Sequence, residues 1–117
     1  MDIIEMRDAD EWRSWLAANC GSAAEVWLVL PHKGLPGVRY QEAVEQALCF
    51  GWIDGLHRKH DEGHSRLRFT PRRARSSWSA SNRDRVARLI EQGLMTPHGQ
   101  AAVDAAKANG RWSPAVC

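Results

Sequence analysis

Apolar residues recur along this chain at two spacings, and the switches between them outline the elements. Trp12, Trp15, Leu16 and Asn19 fall at helical spacing. Asp8 can cap that helix, Glu11 three residues on completes a capping box, and Gly21 stops it. Residues 25–30 (Glu-Val-Trp-Leu-Val-Leu) form a nearly unbroken apolar run, the mark of a strand buried on both faces. Two prolines and two glycines make 31–37 a loop, with Lys33 at its tip. Tyr40, Val44, Ala47 and Leu48 then share one face of a helix over about 40–50. Gly51 sits where a left-handed residue would end that helix. From Trp52 the period changes to two: Trp52, Asp54 and Leu56 point one way, Ile53 and His57 the other.

Asp61-Glu62-Gly63 predicts a hairpin turn between strands 52–59 and 64–70. A three-residue turn pairs positions summing to 124, so Asp54 faces Thr70 and Trp52 faces Arg72. A carboxylate beside a tryptophan needs a partner. Arg72, stacked on Trp52 and hydrogen-bonded to Asp54, is the expected one. Further on, Ser79 or Ser81 caps a third helix, the latter with Asp84 at capping-box spacing. Val86, Leu89 and Ile90 form its stripe, Asn82 lies on the same face, and Gly93 ends it. Thr96-Pro97 opens a fourth helix, rich in alanine and closed by Gly110. The expected fold is one α+β domain over 1–117: about three strands in a mixed or antiparallel sheet with four helices, in the order α-β-α-β-β-α-α.

Charge adds a second layer. The net charge of +2 hides a segregation. Between His64 and Arg88 stand eight arginines and one acid, a local +7; the rest holds eight basic and thirteen acidic residues, −5. A positive face suited to an anionic ligand or an acidic partner follows. Six tryptophans against two phenylalanines and one tyrosine imply a core filled by a few large rings. No apolar run approaches the ~18 residues of a membrane span. The acidic N-terminus lacks the order of a signal peptide, and Cys20, Cys49 and Cys117 are odd in number without metal spacing. A reduced, cytoplasmic protein is the simplest reading.

Four stretches carry a resemblance. Glu42-Ala43-Val44-Glu45-Gln46-Ala47-Leu48-Cys49-Phe50-Gly51-Trp52-Ile53-Asp54-Gly55, then Phe69-Thr70-Pro71-Arg72-Arg73, then Ser77-Trp78-Ser79 with Asn82, then Gly110-Arg111-Trp112 are collinear with the motifs of the YdeI/OmpD-associated family of small bacterial proteins. The resemblance spans about Trp12 to Trp112 and implies a link to bacteriocin or antimicrobial-peptide protection, with no assigned reaction. Members of that family continue past Gly-Arg-Trp into a further helical segment, which this chain lacks. Self-association as a homodimer could cover the surface that the segment would otherwise cover.

The candidate chemistry is an anion site. Arg72, Arg73 and Arg75 precede a helix whose free N–H groups attract negative charge, and Ser77, Ser79 and Asn82 add neutral donors beside Trp52 and Asp54. The plainer alternative is that Arg72 neutralises Asp54, the serines cap, and the other arginines are solvated. His57, His60 and His64 surround the hairpin turn with Asp61, but 57 and 60 face opposite ways on a strand, so a solvated hairpin is favoured over a metal site. Cys49 has no base beside it in sequence and reads as a small apolar residue. No cofactor motif is present. Two functions follow: a non-catalytic binding or accessory protein, or an enzyme with Asp54 as acid or base and Arg73 and Asn82 orienting an anionic substrate. Nucleic acid is possible but not favoured, because aromatic residues are not interleaved with the basic segment.

Overall fold

A computed structural model describes residues 2–73 and 78–112. In chain order these form β1 (Ile3–Ile4), α1 (Ala9–Asn19), β2 (Val26–Pro31), α2 (Tyr40–Cys49), β3 (Trp52–Asp61), β4 (His64–Pro71), α3 (Ala80–Glu91) and α4 (Pro97–Ala108). The fold is α+β. The sheet is mixed, in the order β1-β2-β4-β3, with β1 parallel to β2 and the other neighbours antiparallel. It thus has a fourth strand beyond the three expected. Two residues are too few to show a period, and β1 exists because Ile3 and Ile4 pair with Trp27 and Leu28.

The helix starts follow capping chemistry. Asp8 accepts from Glu11 N–H at 2.9 Å, Ser79 from Asn82 N–H at 3.1 Å, and Thr96 from Gly99 N–H at 3.4 Å. The predicted box at Asp8 is half formed. The Glu11 carboxylate accepts from the Arg7 N–H, one residue before the cap, and pairs with the Arg7 guanidinium at 2.9 Å. Ser79, not Ser81, caps α3.

One face of the sheet carries the core. Val26, Leu28, Leu30, Leu67, Phe69 and Trp52 join Trp12 and Leu16 of α1, Val44 and Leu48 of α2, Val86 and Leu89 of α3, and Val103 and Ala106 of α4 in a single cluster. Trp12 bridges the layers: its ring lies 5.1 Å from Phe69 and its Nε1–H donates to the Ala43 carbonyl at 3.0 Å. Arg13 ties α1 to α2 and to the turn before α4, donating to Gln46 Oε1 and the Leu94 carbonyl, both at 2.8 Å. Tyr40 and Ile90, assigned by period to apolar stripes, are instead 47% and 45% exposed, at positions the core does not reach.

The hairpin register departs from the expected sum in two places. His57↔Leu67, Arg58↔Arg66 and Lys59↔Ser65 fit it. Between Asp54 and His57, β3 holds one residue more than β4 opposite, so Asp54 faces Phe69 rather than Thr70, and Trp52 faces Pro71 rather than Arg72. Gly55 lies in this bulge, where its lack of a side chain eases the irregular backbone. At the far end Asp61 pairs with His64, which leaves a two-residue turn instead of three.

Gly99, in the first turn of α4, is buried against the end of α2. A methyl group there would lie 2.6 Å from the Cys49 carbonyl carbon and 2.5 Å from Met95 Sδ. Gly99→Ala therefore lowers stability by ~1–3 kcal/mol, although alanine is the better helix former. Chemical denaturation measures this; equal or higher stability would show that α4 does not pack on that carbonyl.

Candidate functional site

The end of α2 and the end of the β3–β4 hairpin meet at Gly51. Gly51 adopts φ +76°, its carbonyl accepts the Arg72 N–H at 2.8 Å, and the chain turns there into Trp52. Arg72 is thereby held just beyond β4. Its guanidinium carbon lies 3.8 Å from the centre of the Trp78 ring, so it stacks on Trp78 rather than on Trp52, as the sequence suggested. The bulge explains the change: one residue of slip takes Arg72 out of register with Trp52. Burial lowers the Arg72 pKa to about 10, against which the nearby Asp54 charge acts to raise it. The guanidinium remains charged at neutral pH.

Asp54 takes its hydrogen bond from a residue absent from the expected site. Tyr40 Oη donates to Asp54 Oδ2 at 3.1 Å. Asp54 thus acts on Arg72 as a neighbouring charge, and the hydrogen bond expected from Arg72 to Asp54 comes from Tyr40 instead. Tyr40 is only half-buried, and that partial loss of water raises its pKa; the Asp54 charge and hydrogen bond add to the rise, and Arg85 opposes it. Arg85 in turn donates to Asn82 Oδ1 at 3.0 Å.

Trp52, Arg72 and Arg73 converge on a cleft of about 300 Å³, together with Cys20 and His98. Phe50, Pro71 and three alanines of α4 give it apolar walls. Trp52 is otherwise a core residue, 1% exposed, with Nε1–H donating to the Cys20 carbonyl at 3.2 Å and its ring edge-on to Trp15. Asp54, Ser79 and Asn82 do not line this cleft: Asp54 is engaged by Tyr40, Ser79 by its cap, and Asn82 by Arg85. Arg75 and Ser77 lie outside the described residues. His98, Tyr40 and Trp78 stood outside the expected site, Tyr40 having been placed on an apolar stripe and Trp78 only within the Ser77-Trp78-Ser79 motif. The only available signals were a tyrosine hydroxyl and an aspartate each in need of a partner, and a histidine just after the Thr96-Pro97 start.

The other candidates resolve locally. Cys49 is fully buried and burial pushes its thiol pKa up, as suits an inert packing residue. His57 Nε2 lies 2.7 Å from Ser65 Oγ, and His64 Nδ1 lies 2.9 Å from Asp61 Oδ1. No described helix is long and apolar enough to cross a membrane.

An α+β domain with an arginine-lined cleft at the junction of α2, β4 and α4 is therefore the class of protein that the fold and site define. The family model described as a domain of unknown function, DUF8412, matches residues 4–102, and the chain belongs to that family. Searches of curated proteins and of solved structures returned no match.

Tyr40 is the single tyrosine of the chain, so phenolate absorbance reads it alone. Its midpoint lies above the ordinary value of 10.0, and Asp54→Asn lowers it by removing the carboxylate charge. Because the folded state holds this proton more tightly than the unfolded chain does, its contribution to stability is present below the ordinary value and lost as pH rises through the raised one. A midpoint unmoved by Asp54→Asn would break the assigned Tyr40–Asp54 contact.

Proposed function

We propose that this is a cytoplasmic binding or accessory protein whose Arg72–Arg73 cleft holds a small anion bearing a short apolar group. The observation that carries the reading is Arg72 itself. A guanidinium partly buried against Trp78 has lost water, and a charge in that setting attracts an anion more strongly than a solvated one does. Arg73 supplies a second, exposed cation, and the apolar walls suit a compact organic part. About 300 Å³ is at the small end of ligand pockets. The resemblance to YdeI/OmpD-associated proteins supports a role linked to bacteriocin or antimicrobial-peptide protection.

An enzyme acting through Asp54 is the second reading. The partial exposure of Asp54 and its Tyr40 contact favour it. Against it, Asp54 does not line the cleft where the arginines would hold a substrate.

Calorimetry with phenyl phosphate tests the binding reading. Affinity should fall as salt rises, and Arg73→Gln should weaken it by about 10-fold or more, the loss of one charge-assisted contact. Arg73 is exposed, so its replacement leaves the core intact. Absence of salt-sensitive binding of phenyl phosphate or inorganic phosphate would remove the anion site.

A further inference from the structure

Strand alternation gives the sheet a second face, opposite the one that carries the core. Trp27 and Val29 of β2 point there, outside the core cluster to which all four described helices contribute. Cross-strand partners share a face. Arg68 is opposite Trp27, Arg66 opposite Val29, and Arg58 of β3 opposite Arg66. This face therefore displays three guanidiniums on two neighbouring strands above Trp27 and Val29, which are themselves buried, 7% and 4% exposed.

Their neutralisation is incomplete. Arg68 pairs with Glu25 at 2.9 Å and holds that carboxyl below its usual range. Arg66 lies over the Trp27 ring at 5.4 Å, with its Nε buried and lacking a hydrogen-bond partner among the described residues. Arg58 donates only to its neighbour's carbonyl among the described contacts, His57 O at 3.3 Å. Arg58 and Arg66 stand directly opposite each other, and like charges so placed destabilise a sheet. An anionic group between them relieves that repulsion. Arginine's planar fork matches phosphate bidentately, and its flat face stacks on bases.

We propose that this helix-free sheet face docks single-stranded nucleic acid, with phosphates held by Arg58 and Arg66 and a base stacked on the guanidinium of Arg66, which lies over the buried Trp27. The face runs about 20 Å along the six-residue β2, and a flexible strand can lie across it. Duplex recognition instead asks for an element that enters a groove. This surface is independent of the Arg72–Arg73 cleft, since Arg58 and Arg66 do not line it.

Fluorescence anisotropy with a labelled oligo(U) tests the proposal. Two phosphate contacts give a log–log salt slope of about −1.4. Arg58→Glu should weaken binding about 10-fold or more and cut the slope by at least ~0.7. The same substitution places a carboxylate opposite Arg66, so the Tm should rise by a few °C. Excess phenyl phosphate, the probe for the cleft, should not displace the oligonucleotide. The proposal is overturned by absence of salt-dependent binding, by unchanged binding in Arg58→Glu, or by loss of binding with a fall in Tm. It is equally overturned if phenyl phosphate displaces the strand, or if poly-glutamate competes as well as oligo(U) does, which would point to an acidic protein partner.

Discussion

The structure depends on how the end of α2 is satisfied. The Cys49 carbonyl, one of the orphan acceptors of a helix C-terminus, receives both the N–H and the hydroxyl of Thr96. That locks the start of α4 to the end of α2, and only a glycine at position 99 leaves room for the approach. Two residues on, Gly51 takes φ +76°, sends the chain into β3, and accepts the N–H of Arg72 from the end of β4. The backbone of His98 lies so close that a side chain on Gly51 would also crowd it. Three elements and the central arginine of the cleft are thus positioned by a few backbone groups.

Around this point the tryptophans do unequal work. Trp12, Trp15 and Trp52 form a stacked and edge-on series between α1 and the sheet, burying area and setting the distance between layers. Trp78 and Trp27 are platforms for guanidiniums instead, Arg72 on the former and Arg66 on the latter. A chain with one tyrosine and two phenylalanines uses indoles for both tasks. Where the partner is an arginine, the ring both packs and holds a charge at a defined spot.

The arginine-rich segment shows how linear charge becomes surface. Its residues are near neighbours in sequence, yet they separate in space. Strand alternation sends Arg66 and Arg68 to the helix-free face. Arg72 and Arg73, past the end of β4, reach the cleft. Arg85 turns back along α3 to Asn82. The single positive face expected from composition is therefore divided between at least two surfaces, because a strand has a period of two and its continuation does not keep it.

Local rules were enough to read most of the elements. The stops at Gly51, Gly93 and Gly110, all at positive φ, and the caps at Asp8 and Thr96 depend on residues within one helical turn of each other, so the chain order alone determined them, whereas Ser79 and Ser81 were equal candidates for the α3 cap until the structure chose Ser79. The α+β class followed from the same local periods. The partners did not follow. A bulge at Gly55 is a mismatch between two strands, and one residue of slip there moved Arg72 from Trp52 to Trp78 and left Asp54 to Tyr40. The two-residue β1, the inclusion of His98 in the cleft and the placing of Arg66 over Trp27 likewise exist only once distant segments meet. Residue spacing carries the period of an element; which side chains touch is decided by register and packing between elements, and that is a property of the assembled fold.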